Sequence, residues 1–321
     1  MSNIHFLLQG NDQSIESISS SNLASMRLRI GPAVCGLMDN GFKVTYGEVI
    51  SNAPGKVVVS KIGSNNIQAR QIHWLQQIER AKLSGTKIFL DYTDHHLGFN
   101  SSMTWFYQNV MSMVDVAITS SRRMKQNLSH FFSGHICLIE DAIEISSQDV
   151  RPPNKICTLL WFGHASNIDS LINFLQHDFE VDNQIRLIIL SNEAGLDYFS
   201  KFKFKTEIEI QLGIWSLQTM IHASKNSDIC IIPINNSDPK KNGASSNRLI
   251  TALALGLPVA AGNLDSYSEF HHYYIDIHGP EFSKLLRNPA IFHDQVRLAQ
   301  REVVPKFAVD TIKSKWVTLL S

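Results

Sequence analysis

The segment from Ser227 to Glu269 sets Lys241 and the run Ser245–Ser246–Asn247–Arg248 between a short apolar strand, Ile229 to Ile234, and an alanine-rich helix, Leu249 to Leu255. A lysine-bearing loop that feeds a polar helix start is an anion cradle. The first amides of a helix lack internal acceptors and point toward whatever precedes them. Arg248 adds a planar fork able to give two hydrogen bonds to one oxyanion group, a geometry lysine cannot supply. The plainer reading of the same run is Ser245 to Asn247 as helix caps beside a solvated Arg248. A second cluster, Asp91–Tyr92–Thr93–Asp94–His95–His96, closes the apolar run Lys87 to Leu90. Carboxylates and imidazoles in one loop suit proton transfer, provided one of them reaches the reacting hydroxyl. Adjacent histidines beside Asp91 and Asp94 also suggest a metal. No spacing here matches a ligand pattern such as His–Glu–x–x–His, so none is expected. The plainer reading of this cluster is an Asx-type turn with solvated imidazoles, braced by Asp91.

Both clusters need strands to hold them. Ile4 to Leu8 is a first strand, and the polar segment Asn11 to Ser25 leads into a helical stretch from Met26 to Met38. Gly31–Pro32 counts against an unbroken helix there. Phe42 to Val49 suits a second strand, while Asn52 to Asn66, with Val57–Val58–Val59, is ambiguous. Ala69 to Leu83 reads as a helix, Lys87 to Leu90 as a buried strand, Trp105 to Met113 as a helix and Val114 to Thr119 as a strand. Ser120–Ser121 caps a helix beginning near Arg122, and His135 to Ile139 is another strand. The polar stretch Ser146 to Lys155 carries Pro152–Pro153, as a linker does. The α/β rhythm then restarts, with strands at Ile156 to Phe162, Ile185 to Leu190 and Ile208 to Leu212 and helices at Ser166 to Leu175 and Ser216 to Ser224. Two such halves predict domains at residues 1–148 and 149–302 with a cleft between them. Ligands of such sheets bind beyond the carboxyl ends of the strands. Asp91, Asp94, Glu140, Gly163, Ser191 and Asn235 all follow apparent strands.

At 321 residues the chain is long enough for two domains, and 44 % hydrophobic against 18 % charged residues is a core-forming balance. The 29 Lys and Arg equal the 29 Asp and Glu, which leaves no overall field to recruit DNA or RNA. No nucleic-acid partner is expected on that ground. Cys35, Cys137, Cys157 and Cys230 each stand alone, as buried free thiols in a reducing compartment do. The apolar start is too brief for a signal peptide and no stretch approaches a membrane span. A cytoplasmic location is expected, with peripheral contact at the inner face of the membrane left open.

The run from Ser227 to Glu269 follows the pattern strand–Pro–polar loop–Lys–Ser–Asn–Arg–helix–Gly–x–Pro–Val. Trp161–Phe162–Gly163, Ile214–Trp215–Ser216, Met26–Arg27–Leu28–Arg29, Phe89 to Asp94 and Val114–Asp115–Val116–Ala117 fall in step with it. On these residues the chain resembles the GT-B glycosyltransferases, closest to the bacterial group that handles nucleotide sugars. The resemblance implies an α/β fold of two Rossmann-like domains facing each other across a cleft, with residues 303–321 as a C-terminal helix crossing back to the first. The C-terminal half would hold the donor and the N-terminal half the acceptor. No metal or other cofactor is implied, because a positive side chain and helix amides stabilise the leaving diphosphate.

Carried onto this sequence, the resemblance places Lys241, Ser245, Ser246, Asn247 and Arg248 on the donor diphosphate. Gly163, His164, Ser191, Asn192, Trp215, Thr251 and Glu269 fall near the sugar or nucleoside. Arg27, Arg29 and Glu140 fall on the acceptor side, and Asp94, His95 and Asp91 are the candidates for the base. Trp215 also reads as a packing anchor and Glu140 as a salt-bridge partner. Arg27 and Arg29, two apart, cannot share one helix face. The two glutamates of many retaining members would fall at Gly243 and Thr251, so the chain departs from that subgroup. The implied activity is transfer of a sugar from a nucleotide-sugar donor to a hydroxyl of a glycan, lipid-linked or protein acceptor, in surface polysaccharide or glycoconjugate synthesis. An epimerase on the same scaffold and a non-catalytic nucleotide-sugar or protein binder remain alternatives. A dinucleotide oxidoreductase is disfavoured, because neither Gly10 nor Gly163 opens a G-x-G-x-x-G run.

Overall fold

The computed structural model describes residues 3–10, 14–21, 23–50, 54–63, 66–179, 184–204, 208–234 and 241–321. Asn235, Asn236, Asp238 and Pro239 of the polar loop lie outside the described residues. The chain divides into two compact units. One comprises Met1–Ala142, Pro239–Ser246 and Phe307–Ser321, the other Ile143–Asp238 and Asn247–Lys306.

In the first unit, β1 (Ile4–Leu7), α1 (Ile15–Ser19), α2 (Gly31–Asp39), β2 (Val44–Gly47), β3 (Lys56–Val59), α3 (Ile67–Leu83), β4 (Lys87–Tyr92), α4 (Thr104–Val110), β5 (Val116–Thr119), α5 (Arg122–Ser129) and β6 (His135–Leu138) follow in order. The strands form a parallel sheet ordered β2-β1-β3-β4-β5-β6. A parallel sheet is covered on both faces, which is why its strands are apolar throughout rather than alternating. The pleat still sorts the side chains. Ile4, Phe6, Val58, Phe89 and Ile118 enter one core, and Leu7, Val57, Val59, Ile88 and Leu90 the other. The stretch Met26 to Met38 is two pieces, a π-helical turn over Met26–Ile30 and then α2. Pro32 lies in the first turn of α2, where its missing N–H costs nothing.

The second unit runs β7 (Thr158–Phe162), α6 (Ile168–Asn173), β8 (Ile185–Ser191), α7 (Glu193–Phe199), β9 (Ile208–Ile214), α8 (Leu217–Ser224), β10 (Ile229–Ile232), α9 (Asn247–Ala254), β11 (Val259–Ala261), β12 (Ile275–Asp276), α10 (Pro280–Arg287) and α11 (His293–Glu302). Its parallel sheet is ordered β12-β11-β10-β7-β8-β9. From β7 the chain builds outward to one side through β8 and β9, then returns to β10 and builds to the other. The crevice beyond the carboxyl ends of β7 and β10 is the topological switch point, where such sheets take their ligands.

The last helix, α12 (Val309–Leu320), belongs to the first unit and packs on α2. Ile312, Trp316 and Leu320, four residues apart, enter the core of Phe6, Val34 and Leu37. Trp316 meets Phe6 edge-on, with ring centroids 6.4 Å apart. At Gly36 the two helices touch along their backbones, since a Cβ there would lie 2.9 Å from the Cβ of Lys313. Lys313 Nζ donates to Asp39 at 3.0 Å. Two Rossmann-like units with a final helix packed on the first are the GT-B architecture. No helix among the described residues is long and apolar enough to cross a membrane.

Candidate functional site

The switch point of the second unit is built around Gly163, which follows β7. Its amide donates to the Leu190 carbonyl at 3.0 Å. Its own carbonyl accepts from the Ser191 hydroxyl at 2.8 Å, and Asn192 Oδ1 accepts from the Ala165 amide at 2.8 Å. Ser191, fully buried, and Asn192 therefore brace the turn after β7. A Cβ at residue 163 would lie 3.1 Å from the Trp161 ring and 3.4 Å from Arg248 Nη1. Glycine keeps that approach to the guanidinium open. His164 is exposed and accepts at Nδ1 from the Ser166 amide at 3.2 Å. Trp215 is half-buried and donates its amide to the Ser191 carbonyl at 2.8 Å.

Arg248 is the second residue of α9. Its Nη1 is buried and has no hydrogen-bond partner among the described residues. A charged donor removed from water and left unsatisfied is costly, so an atom of this kind beside a glycine turn calls for an anion. The sequence did not point to buried Tyr267, which lies close enough to feel the Arg248 charge. Burial pushes the Tyr267 phenol up, and the Arg248 charge works against that rise. Tyr267 lies in a 3-10 segment, Asp265–Tyr273, that follows β11, and nothing in its local pattern marks it.

The remaining donor-side candidates divide between the units. Lys241, Ser245 and Ser246 group with the first unit, whereas Asn247, Arg248 and Thr251 group with the second. The loop is seated on the start of α5, where the Ser121 hydroxyl donates to the Gly243 carbonyl at 2.8 Å. A Cβ at residue 243 would lie 3.0 Å from Met124 Cε and 3.2 Å from Met124 Cα. The close backbone approach explains the glycine: a glutamate at this position does not fit the seated loop. Thr251 is half-buried one turn after Arg248, and Glu269 is exposed.

In the first unit the acidic cluster is split by the pleat of β4. Asp91 points with Phe89 toward one core, and Tyr92 points with Leu90 toward the other. Asp91 is buried against Arg29, whose Nε donates to its Oδ2 at 2.9 Å and whose Nη2 also pairs with it. Arg29 Nη1 donates to the Ile139 carbonyl at 2.7 Å and to Asp141 Oδ1 at 2.9 Å. Arg29, 1 % exposed, has its guanidinium 5.7 Å from the Trp316 ring. Neither residue is placed to meet a substrate, and the geometry makes both structural rather than a base and an acceptor ligand. Burial holds the Asp91 carboxyl above its ordinary range even against the neighbouring guanidinium. Glu140 is ion-paired with Lys315 of α12, and Arg27 Nη1 donates to the Ser21 carbonyl at 2.6 Å.

On the other face, the Tyr92 hydroxyl accepts from the amides of His96 at 2.8 Å and Leu97 at 3.0 Å. Its own proton then goes to His95 Nδ1, 3.0 Å away, which leaves the imidazole proton on Nε2. Burial, then the charges of His96, Arg123 and His130, hold the His95 pKa below its ordinary value, so the ring stays neutral. Burial also pushes the Tyr92 phenol up to about 12. Asp94 is half-buried and ion-paired with Lys61, so it is the carboxylate of the cluster that solvent reaches. Among the described residues no three His, Cys, Asp or Glu side chains gather as a metal-ligand set.

No protein-family model matches this sequence, and no curated protein matches it. The fold is shared with solved structures. TarM aligns over 91 % of this chain and 58 % of its own, with a TM-score of 0.60 and 12 % identity. This chain thus spans less than two thirds of TarM. An alpha-glucosyltransferase, AGT, in complex with UDP aligns over 100 % of both chains, with a TM-score of 0.59 and 11 % identity. An alpha-glucosyltransferase in complex with UDP and a 13-mer DNA containing a HMU base aligns over 98 % of this chain and 99 % of its own, with a TM-score of 0.58 and 11 % identity. At such identities the likeness establishes the fold. The DNA complex also corrects an expectation: balanced charge does not rule out a nucleic-acid partner for this fold. Neutrality over a whole chain leaves local positive surface untouched.

Proposed function

We propose that this chain is a glycosyltransferase that moves a sugar from a nucleoside-diphosphate donor to a hydroxyl acceptor. The observation that carries the reading is Arg248 Nη1, buried without a partner among the described residues beside the Gly163 turn at the switch point of a Rossmann-like sheet. Solved structures of the same fold with UDP bound support the donor class. In this reading Arg248, with Lys241, Ser245, Ser246 and Asn247, neutralises the charge that develops on the leaving diphosphate. The Gly163 turn, held by Ser191 and Asn192, lets the backbone approach it. His164, Trp215, Thr251 and Glu269 lie toward the sugar and nucleoside. Asp94 takes the acceptor proton, with His95 and Tyr92 fixing the loop that carries it. The acceptor is a glycan, lipid-linked or protein hydroxyl, as in surface polysaccharide or glycoconjugate synthesis. Residues 149–302 form the donor domain and 1–148 the acceptor domain, completed by the helix within 303–321.

The test is calorimetric titration with UDP, GDP, ADP, CMP and dTDP, followed by transfer assays from the matching nucleotide sugars. The acceptor panel includes polysaccharide, lipid-linked sugar, peptide and hydroxymethylated DNA. Arg248→Ala removes a charge-assisted contact, so affinity should fall about 10–100-fold. If no nucleotide binds the wild type, or if Arg248→Ala binds as well as wild type, the reading fails.

A further inference from the structure

Strand β9 is the long edge strand of the two sheets. It runs seven residues, Ile208–Ile214, whereas the edge strands β2, β6 and β12 have four, four and two. A short edge offers little to pair with, but a long one presents a row of amides and carbonyls to an incoming strand. Among the described residues β9 pairs with β8 alone, in parallel. The Trp215 amide donates to the Ser191 carbonyl at 2.8 Å, so the odd-numbered residues of β9 turn their backbone groups inward to β8. Ile208, Ile210, Leu212 and Ile214 therefore turn theirs outward. The Ile214 carbonyl accepts from the Thr219 hydroxyl at 2.9 Å and keeps a second lone pair. Side chains of these four share one face of the sheet, and at its open end Leu212 and Ile214 are 42 % and 53 % exposed.

The apolar positions of this strand read the same in both directions about Gln211. We propose that β9 is an interface between two copies of this chain, which pair antiparallel about a two-fold axis at Gln211 and join their second-unit sheets edge to edge. In this register Ile208 lies opposite the partner's Ile214, and Ile210 opposite the partner's Leu212. All four carry outward backbone groups, so each pair exchanges two hydrogen bonds. The exposed Leu212 and Ile214 gain apolar neighbours from the other strand. On the other face Glu209 lies opposite the partner's Gly213, where no second carboxylate meets it, and its own charge is paired with Arg186 at 3.0 Å. Gln211 meets its own copy, an amide that both donates and accepts. A slip of one residue would set outward groups against inward ones, and a slip of two would leave an outward isoleucine without its match. A contact of this isologous kind closes on itself, which makes a dimer rather than a fibre. The pairing uses none of the residues assigned to the donor.

The test is sedimentation velocity over a protein concentration series, with wild type, Leu212→Pro, Gln211→Lys and Gln211→Glu. With rising concentration, wild type should approach twice the 36.1 kDa of one chain and go no further. Leu212→Pro deletes an outward amide and no bond of the β8 ladder. The two-fold axis repeats the loss, so the dimer forfeits two hydrogen bonds and should weaken about 10–100-fold. At dilutions where wild type is monomeric, the two should melt within about 2 °C of each other. Lysine or glutamate at position 211 sets like charges face to face and should weaken self-association about 2–5-fold, whereas an equal mixture of the two variants should associate at least as well as wild type. Should Leu212→Pro melt earlier, the two charged variants, which leave the backbone untouched, decide alone. A wild type that stays monomeric throughout overturns the proposal and leaves the edge to a different strand; one that assembles beyond the dimer overturns it in favour of open-ended pairing. Wild-type association in a stably folded Leu212→Pro overturns it as well, as does a mixture of the charged variants that associates no better than either alone.

Discussion

Replacing Arg29 by methionine should destabilise the first unit strongly while leaving its substrate contacts intact. Five hydrogen bonds leave this guanidinium, to both oxygens of Asp91, to the Ile139 carbonyl and to Asp141. The side chains of Arg29 and Asp91 are only 1 % and 3 % exposed, so water cannot take over when the cation is removed. Removing one partner of a buried ion pair leaves an uncompensated charge and costs roughly 3–5 kcal/mol. For a unit of this size each kcal/mol moves the melting temperature about 2–4 °C, so Arg29→Met should melt roughly 6–20 °C below wild type. The loss should also depend on pH. Without the guanidinium, burial raises the Asp91 carboxyl further above its unfolded value. A folded state that holds a proton more tightly than the unfolded chain gains stability toward acid. The deficit should therefore be larger at neutral pH than at about pH 5. Adding Asp91→Leu to Arg29→Met should recover part of the lost stability, since an apolar pair of similar volume replaces the stranded charge. Thermal unfolding followed by circular dichroism, with turnover on the surviving folded fraction, reads both quantities. A melting shift under about 2 °C, with transfer abolished and no rescue by Asp91→Leu, would mean that Arg29 serves the substrate rather than the fold.

Three further outcomes follow from the same geometry. Trp316→Ala empties a fully buried site between α12 and the sheet, and should cost about 3–5 kcal/mol in chemical denaturation; a loss below 1 kcal/mol would mean that α12 does not hold the unit together. Gly243→Ala forces a methyl to within 3.0–3.2 Å of Met124, and should cost about 1–3 kcal/mol in the same assay, with a glutamate tolerated even less. Wild-type stability in the alanine variant would show that the loop is not seated on α5. Tyr92→Phe strips the acceptor from two backbone amides and the donor from His95. It should lower stability by about 1–3 kcal/mol and raise proteolytic cleavage between β4 and α4, and an unchanged cleavage pattern would count against the bracing role.

Much of the fold can be read from pattern because parallel α/β strands announce themselves as continuous apolar runs. Lys87–Tyr92 and Ile229–Ile232 are found this way, and Pro32 marks the break between the π-helical turn and α2. Elements with little apolar period of their own escape. The short α7 and the two-residue β12 owe their form to neighbours rather than to propensity. At the site, Arg248 and Gly163 are legible because a glycine turn and a charged helix start are local signals. The nearness of Tyr267 to the Arg248 charge is not, since the two lie nineteen residues apart along the chain and no local rule links an aromatic in a 3-10 segment to an arginine on a helix.

Residue order alone sets the alternation of strands and helices, the chemistry available at each strand end, and the neutral balance of charge. Those are properties of residue type and spacing, which need no long-range contact to exist. Which side chains meet depends on how distant segments pack. The pleat of β4 sends Asp91 to Arg29 and Tyr92 to His95, so six consecutive residues that look like one catalytic cluster serve two opposite faces of a sheet. The strand order places β7 beside β10, and so brings the turn at Gly163 up to Arg248. Spacing along a chain fixes what a residue is able to do, whereas burial and partnership, set by distant segments, decide whether that ability is consumed inside the protein or left for a ligand.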